Sequence, residues 1–383
     1  MVNPESSFPG KLAIQQRVLT TYRAAFFDAL ARSCAGGLSV CAGLPRPEES
    51  IATADSLLIS HYSPARNLHL FHGPLYLCYQ RGLLDWLADW NPDALIVEAN
   101  PRYLATPAAV RWMKQRGRPV IGWGLGAPRS SPPILKKNDG GWRRAFLRRF
   151  DALLTYSRRG ADEYAALGFH ADRIFVAPNA AAPRPSSPPP FRPPAFGERP
   201  VILFVGRLQS RKRVDLLLQA CASLGEAARP RLVIVGDGPE RPSLEALAKT
   251  TYPSAEFIGA KHGPELAPYF LAADLFVLPG TGGLAVQEAM SYGLPVIMGQ
   301  GDGTNDDLVR PGNGWQVPGP DTLADVLRDA LADVSRLRAM GAESYRIVAE
   351  EINLERMVGV FVDALNRIQG QENRPGGFIV QRS

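Results

Sequence analysis

The sequence has 383 residues, of which 45% are hydrophobic and 21% are charged. These proportions are typical of globular proteins and exclude disordered and fibrous classes. We find no apolar run of about 20 residues, the length that crosses a bilayer, and no secretory signal pattern, so we expect a cytoplasmic protein. Because single cores stop growing at roughly 250–300 residues, the length favours two domains.

The net charge of +6 is unevenly distributed. Residues 1–195 carry 24 Lys and Arg against 14 Asp and Glu, whereas residues 196–383 carry 19 against 23. A basic first half suggests an anionic partner, either nucleic acid or acidic lipid. Since the sequence shows no nucleic-acid-binding module, we do not expect nucleic acid. The four cysteines lack metal-ligand spacing and are interpreted as reduced core thiols.

In chain order, the first half alternates apolar strand candidates with helical stretches. The strand candidates are LAIQQRV, LSVCAG, LHLFHG, DALIVEA, PVIGWGLG, ALLTYS and RIFVAPN. Residues 183–194 (PRPSSPPPFRPP) then contain seven prolines, which cannot donate the backbone bonds of a helix or sheet. We predict an extended linker there, so the first domain would comprise residues 1–182.

After the linker, strands and helices alternate more regularly. VILFVGRL, RLVIVGDG, AEFIGA, LFVLPG and PVIMGQ are the strand candidates. Such alternation predicts a parallel sheet covered on both faces. We therefore predict an α/β protein of two doubly wound domains facing across a cleft, the second over residues 195–350. Residues 351–383 would form a helix that returns to the first domain, followed by a tail.

Ligands of doubly wound sheets bind beyond the carboxyl ends of the strands. VGRLQSRKR, residues 205–213, puts Arg207 directly after a strand and Lys212 near the start of the next helix. A forked guanidinium and a flexible ammonium are well suited to a diphosphate. The alternative is a solvent-exposed basic turn, which the neighbouring Arg211 and Arg213 make equally plausible.

PGTGGLAVQEAM, residues 279–290, predicts a glycine turn that opens a helix. Its glycines would let the backbone approach a ligand, and the amides of Gly283 and Leu284 would point at an anion. Glu288, further into the helix, could reach hydroxyl groups beside that anion. Phosphate and hydroxyl groups together suggest a nucleotide. The alternative is an acid that only complements the helix dipole.

Ordered motifs in the chain resemble those of a known family. VGRLxxxKxVDLLLxA, LVIVGDGP, FIGxxxxxEL and GLxxxEAMxYGLPVI resemble the nucleotide-binding half of family-4 glycosyltransferases of the two-Rossmann (GT-B) type. Residues 152–180 are similar to the segment that closes the N-terminal domain of that family. The resemblance covers roughly residues 150–335. It implies retaining transfer of a sugar from a nucleotide diphosphate sugar, with no metal or other cofactor.

The resemblance also implies roles for individual residues. Arg207 and Lys212 match the basic pair that holds the donor diphosphate and stabilises it as it leaves. Glu288 matches the second acid of the family's Glu-x7-Glu pair, which binds the ribose hydroxyls. The whole predicted donor site comprises Gly206, Arg207, Lys212, Phe257, Ile258, Gly282, Gly283, Leu284 and Glu288.

The chain departs from the family pattern at the first acid of that pair. Gly280 stands there, and the turn after Pro279 is shortened. Because the family's first acid reads the donor sugar, this departure leaves the sugar open, on either a UDP or a GDP carrier. Asp302 and Asp306, which follow the next strand, are the acids that could enter the cleft instead.

The first half supplies the candidate acceptor residues. DALIVEANPR places Glu98 at a strand end, where it could steer an acceptor hydroxyl or the sugar and act in catalysis. The alternative is a buried or loop-stabilising carboxylate. Tyr22 and Arg23, in the first strand-to-helix turn, and Trp123, at another strand end, are predicted on the acceptor side.

Residues 134–150 (ILKKNDGGWRRAFLRRF) combine six basic residues with aromatic ones. At helical spacing, Phe146 and Phe150 share a face that arginines flank. Residues 136–150 could therefore dock on an anionic membrane surface, as a peripheral contact on its inner face. The alternative, equally supported, is a helix packed on the core with a solvated basic face.

The favoured hypothesis is a glycosyltransferase that extends a cell-surface glycan or glycolipid. Its partners would be a nucleotide-sugar donor and a glycan or lipid-linked acceptor. The alternative is a degenerate relative that binds nucleotide or glycan without turnover. Gly280 motivates that alternative, whereas the retained Arg207, Lys212 and Glu288 oppose it.

Overall fold

A computed structural model of the chain describes residues 7–49, 51–126, 139–226, 229–299, 301 and 304–372. The chain divides into two compact units. The first is formed by the chain up to Ala177 together with the chain from Leu354 onward, and the second by Pro178–Asn353. Within the described ranges, no helix has both the length and the apolar character needed to cross a membrane.

A parallel sheet forms the centre of the first unit. The strands of this unit are β1 (Leu12–Val18), β2 (Leu38–Gly43), β3 (His61–Pro64), β4 (Arg66–Leu70), β5 (Leu77–Arg81), β6 (Ala94–Glu98), β7 (Val120–Gly124), β8 (Ala152–Thr155) and β9 (Ile174–Val176). Its first helices are α1 (Ala24–Arg32), α2 (Leu83–Trp90), α3 (Thr106–Lys114), α4 (Asp139–Leu147) and α5 (Arg158–Ala166). The sheet has the order β3-β2-β1-β6-β7-β8-β9, and its central strands are buried on both faces, which explains their apolar sequences.

β4 and β5 form an antiparallel hairpin apart from the parallel sheet. Of the predicted strand LHLFHG, only the first three residues belong to β4, because Phe71 adopts a left-handed backbone with φ 57° and ends the strand. The hairpin is fastened by side-chain amides that donate to the end of β1. Asn67 donates to the Arg17 carbonyl at 2.7 Å, and Gln80 donates to the Gln16 carbonyl at 3.0 Å.

The second unit is built on a six-stranded parallel sheet. Its strands are β10 (Val201–Val205), β11 (Arg231–Val235), β12 (Glu256–Gly259), β13 (Leu275–Leu278), β14 (Val296–Gly299) and β15 (Gly314–Val317). Its helices are α6 (Val214–Ser223), α7 (Arg241–Thr251), α8 (Ala267–Ala272), α9 (Ala285–Ser291), α10 (Thr304–Leu308), α11 (Leu323–Leu331) and α12 (Val334–Glu350). The order β12-β11-β10-β13-β14-β15 is that of a doubly wound sheet.

The proline-rich segment 183–194 forms neither helix nor strand and is attached to the second unit. The Arg192 guanidinium donates to the carbonyls of Phe270, at 2.9 Å, and Tyr292, at 3.0 Å, and also contacts the Ala273 carbonyl. Burial lowers the pKa of Arg192 to about 10. The segment predicted as an extended linker is therefore anchored to the second unit, because one half-buried guanidinium donates to several carbonyls at once.

The last helix, α13 (Leu354–Glu372), packs in the first unit although it follows the second in sequence. Phe361 is fully buried, and its ring centroid lies 4.9 Å from those of Phe26 and Trp123. Both contacts are edge-to-face, a favourable geometry for aromatic rings. The first unit is thus completed only by the end of the chain.

Candidate active site

The strand order of the second sheet brings the two predicted donor-site turns, after β10 and β13, together with the turn after β11. Since β10 lies between β11 and β13, the turn after β10 has the other two turns as neighbours. Backbone hydrogen bonds join them: the Leu208 amide donates to Asp237 at 2.9 Å, and the Thr281 amide donates to Arg211 at 3.1 Å. Segments far apart in sequence therefore meet at the carboxyl edge of the sheet.

Gly280 is a packing contact between two of these turns. A Cβ atom on Gly280 would lie 2.0 Å from the Arg211 carbonyl oxygen and 2.6 Å from the Lys212 Cα. Backbone cannot yield to such an overlap without the turns separating. No side chain fits this backbone position as the two turns are packed. That Gly280 replaces the first acid of the family pattern stays a prediction.

Lys212 is enclosed by the glycine turn. Its ammonium donates to the Thr281 carbonyl at 2.9 Å and also to the Gly282 carbonyl. A Cβ atom on Gly283 would lie 3.6 Å from the Lys212 Nζ, so the Gly283 backbone also adjoins the ammonium. Burial, together with the charge of Arg211, lowers the pKa of Lys212 to about 8. The structure thus unites Lys212, Gly282 and Gly283.

Glu288 lies in α9, and Leu284 is the N-cap residue that directly precedes that helix. The Glu288 amide donates to the Leu284 carbonyl at 3.3 Å, so the carboxylate is one turn into the helix, as predicted. The side chain is half-buried, and burial raises the pKa of its carboxyl group above the usual value. A half-buried carboxylate is well placed to accept hydrogen bonds from a ligand.

The remaining predicted donor residues lie on the strands and turns beside this cluster. Gly206 and the exposed Arg207 directly follow β10. Phe257 and Ile258 are half-buried in β12, two strands away from β10. The Gly236 amide donates to the Gly259 carbonyl at 2.8 Å and ties the β11 turn to the end of β12.

Glu98, at the end of β6, is held by the neighbouring strand. Its carboxylate accepts a hydrogen bond from the Arg17 amide at 3.0 Å and another from Tyr103. Burial outweighs these bonds and the charge of Arg17, and raises the pKa of Glu98 to about 7. Near neutral pH, this carboxyl group is therefore divided between its protonated and ionised forms.

A cavity of about 470 Å³ opens beside Glu98 in the first unit. Aromatic side chains form much of its wall, with Glu98, Asn100 and Arg143 among the polar lining residues. The buried Trp123 Nε1, also in the lining, has no hydrogen-bond partner among the described residues. An aromatic wall with a few polar groups is typical of a small-molecule site.

Of the three predicted acceptor-side residues, Tyr22 is exposed, whereas Arg23 and Trp123 are buried. The Arg23 guanidinium carbon lies 4.9 Å from the Trp123 ring centroid and 5.2 Å from that of Tyr22. Tyr156 and Phe26 complete the aromatic surroundings of this cation. Arg23 and Trp123 are thus packed side chains of the domain, and Trp123 also lines the cavity beside Glu98. Their role on the acceptor side stays a prediction.

Two family models match the chain. Residues 190–347 match "Glycosyl transferases group 1", and residues 19–180 match "Glycosyl transferase 4-like domain". Glycosyltransferase domain models thus match both units of the chain. Its fold is GT-B, with the group 1 domain in the second unit and the 4-like domain in the first.

Curated relatives match parts of the chain. A GDP-mannose-dependent alpha-mannosyltransferase of Mycobacterium tuberculosis is 36% identical over 40% of this chain and 42% of the relative. A D-inositol 3-phosphate glycosyltransferase of Xylanimonas cellulosilytica is 32% identical over 59% of the chain and 58% of the relative. The chain thus spans about half the length of these relatives. Among solved structures, sucrose-phosphate synthase from Thermosynechococcus elongatus shares the fold, with a TM-score of 0.67, 17% identity, and coverage of 94% of this chain and 99% of that one.

The described part of the basic segment 136–150 packs on the core and leaves its basic face in solvent, which is the second of the two alternatives given for it. Phe146 and Phe150 are buried in the core in edge-to-face contact at 5.2 Å, while Arg144, Arg148 and Arg149 are exposed. The face formed by Phe146 and Phe150 is therefore not available for insertion into a membrane, whereas Trp142 and these basic side chains are exposed. Lys136 and Lys137 lie outside the described residues.

The two acids predicted between β14 and β15 are Asp302 and Asp306. Asp302 lies outside the described residues, whereas Asp306 lies in α10 and is exposed.

Sequence reasoning missed Tyr103 as a partner of Glu98. It stands five positions beyond the strand end, and only the turn through residues 99–103 brings it back, a path that no local pattern specifies.

Proposed function

We propose that the protein is a retaining glycosyltransferase. It transfers a sugar from a UDP- or GDP-linked donor to a glycan, a glycolipid or another small acceptor, without a metal, in cell-surface glycan biosynthesis. The observation that carries the proposal is the Lys212 ammonium, held inside the glycine turn that leads to Glu288. The names of the relatives, a GDP-mannose-dependent transferase among them, support the same donor class.

In the group 1 domain, we assign the donor. Arg207 and Lys212 neutralise the diphosphate, backbone from Gly282 to Leu284 contacts the same phosphates, and Glu288 accepts hydrogen bonds from the ribose. Phe257 and Ile258 flank the nucleobase. Lys212 is buried with neutral carbonyl oxygens as its hydrogen-bond partners, so a diphosphate would supply the missing negative charge.

In the 4-like domain, we assign the acceptor to the cavity beside Glu98. Glu98 orients the reacting hydroxyl, and Trp123 lines the same cavity. Tyr22 lies at the entry of the first helix, where Arg23 and Trp123 support it. In the transfer, the bond between sugar and diphosphate breaks as the acceptor oxygen bonds to the anomeric carbon. The departing phosphate takes the acceptor proton.

The test is nucleotide release from a panel of UDP-, GDP- and ADP-sugars, with and without a lipid-linked acceptor. We expect Arg207→Ala to reduce transfer by about 100-fold or more, because it removes a charge-assisted contact that strengthens in the transition state. Glu288→Ala should weaken donor binding while leaving diphosphate binding measurable. Full activity of Arg207→Ala would overturn the diphosphate assignment.

The second candidate, a degenerate nucleotide- or glycan-binding protein, rests on the missing first acid at Gly280. It predicts binding of UDP or GDP with no release from any sugar nucleotide. The presence of Lys212 within its glycine turn favours the enzyme. Analysis of the product by NMR would separately test whether the anomeric configuration of the sugar is retained.

A further inference from the structure

The β4–β5 hairpin of the first unit has an apolar outer face and a polar inner face. Leu68 and Tyr79 are direct cross-strand partners, and both are exposed, as is Leu70. On the opposite face, Asn67 and Gln80 turn inward and donate to β1. An antiparallel pair on the surface of a water-soluble domain is expected to show the reverse pattern.

The tip of the hairpin continues this apolar surface. Phe71 is 62% exposed and Leu75 is 71% exposed. We define the hairpin surface as Leu68, Leu70, Phe71, Leu75 and Tyr79. Contiguous exposed apolar side chains of this kind contribute little to the fold and mark an interaction site.

The charges around the hairpin surface are positive. The sequence has no Asp or Glu between Asp55 and Asp85. Arg66 and Arg81 are direct cross-strand partners at the base of the hairpin, and both are exposed. Within the described part of the chain, neither forms a salt bridge. Like charges directly opposite each other destabilise a strand pair, so an anionic partner would offset that cost.

Glu48 and Glu49, the first acids after β2, are already paired. Glu49 accepts from Arg17 at 2.8 Å, and Glu48 lies 3.7 Å from Arg46 and 3.9 Å from His72. Because these acids are paired elsewhere, the charges on the outer face of the hairpin are those of Arg66 and Arg81. The surface therefore joins apolar side chains to an open pair of cations.

We propose that the hairpin surface docks on a lipid bilayer that contains anionic lipids. Phe71, Leu75 and the strand leucines enter the interfacial region, and Arg66 and Arg81 contact lipid phosphates. Tyr79 is suited to the boundary between the apolar region and the lipid phosphates, where aromatic side chains are enriched in membrane proteins. This surface is separate from α4, whose Phe146 is buried, and it does not depend on sugar transfer.

Co-sedimentation of the full chain with vesicles tests the proposal. We expect binding to phosphatidylcholine vesicles containing phosphatidylglycerol, and weak binding to phosphatidylcholine alone. Phe71→Ser combined with Leu75→Ser should lower vesicle partitioning at least about tenfold, because each removes a buried apolar side chain from the bound state. Arg66→Gln with Arg81→Gln should remove the preference for phosphatidylglycerol.

The matched control is Phe191→Ser, which removes an 89% exposed phenyl ring from the second unit and should leave partitioning unchanged. A label at Leu75→Cys gives a second readout, since the four native thiols are buried. An environment-sensitive dye there should shift to blue only with anionic vesicles. Unchanged partitioning of the Phe71 and Leu75 variant would overturn the proposal. So would a lipid-free dimer that this variant abolishes, because the face would then bind a second copy.

Nucleotide release measured on the same variants keeps the two proposals apart. With a water-soluble acceptor, the hairpin variants should match the unmodified protein. Loss of vesicle binding with intact release would locate the defect at the membrane contact. If no nucleotide is released from any sugar nucleotide while vesicle binding is intact, the proposed transferase activity is overturned and the docking surface is not.

Discussion

At the scale of single residues, the proposed donor site depends on a buried ammonium. Lys212 is 6% exposed, and its ammonium donates hydrogen bonds to the Thr281 and Gly282 carbonyl oxygens of the glycine turn. Neutral acceptors satisfy the N–H groups but only partly compensate the charge, and a buried charge without a counterion is costly. Burial accordingly lowers the pKa of Lys212 to about 8, and an arriving diphosphate would raise it again.

We therefore expect UDP or GDP affinity to depend on pH through Lys212. The lysine is protonated below about pH 8 and loses its proton above it, so affinity should be highest below that pH. Above it, affinity should fall by up to about tenfold per pH unit, because binding must first restore the proton. Titration calorimetry near pH 8 should show proton uptake on binding.

Lys212→Met separates this effect from general changes in charge. Its affinity should be low and nearly independent of pH between 7 and 9. Arg207→Gln should bind weakly but keep the pH dependence, since Lys212 remains. A pH dependence that survives in Lys212→Met would assign the titration to another group.

Gly280 provides a prediction about packing. Because a Cβ atom would lie 2.0 Å from the Arg211 carbonyl oxygen, Gly280→Ala should lower the free energy of unfolding by about 2 kcal/mol and weaken nucleotide binding. Gly197→Ala is the matched control, since no atom lies within 4 Å of its Cβ position. Urea unfolding followed by circular dichroism measures both.

Gly280→Glu distinguishes packing from a lost catalytic acid. If Gly280 is an inactivating replacement, Glu should raise sugar release without loss of stability. The structure predicts the opposite, lower stability and no gain in release, because the side chain has to displace the backbone of Arg211 and Lys212.

At the scale of elements, the sequence predicted the parallel strands and helices better than the inserted and connecting pieces. The apolar runs of β10, β11 and β13 are periodic and continuous, and they are buried as expected. The sequence did not predict the hairpin β4–β5. Its apolar side chains face outward, so its alternating pattern resembles that of a core strand. In α4, composition alone left two packings open, and only the neighbouring core decides between them.

The proline-rich segment shows the same limit. Seven prolines predict an extended path, but anchoring depends on where Arg192 finds carbonyl acceptors, 78 to 100 positions away in sequence. Such long-range partners leave no local signal.

Removing this anchor should destabilise the second unit. Arg192→Met keeps the length of the side chain but leaves the carbonyls of Phe270 and Tyr292 without their donor. We expect the free energy of unfolding to fall by about 2 kcal/mol. Phe191→Ala, one residue away and exposed, should have little effect. Equal losses in both variants would mean that the segment contributes through its apolar contacts.

At the scale of the whole molecule, the chain leaves the first unit at Ala177 and returns to it at Leu354. α13 supplies Phe361 to a cluster with Phe26 and Trp123, and Met357 accepts from Arg23 at 3.6 Å. The helix therefore supports the same aromatic group that encloses Arg23. The stability of Arg23 and Trp123 is therefore linked to α13.

Phe361→Ala should consequently destabilise the first unit and spare the second. Loss of a fully buried phenyl ring costs about 3–5 kcal/mol, since the cavity it leaves closes only in part. Hydrogen exchange followed by mass spectrometry should show faster exchange in α1 and β7, with β10 and β13 unchanged. Phe270→Ala, which removes an equally buried ring from the second unit, should give the reverse pattern. Uniform loss of protection in both units after either substitution would show that they unfold as one.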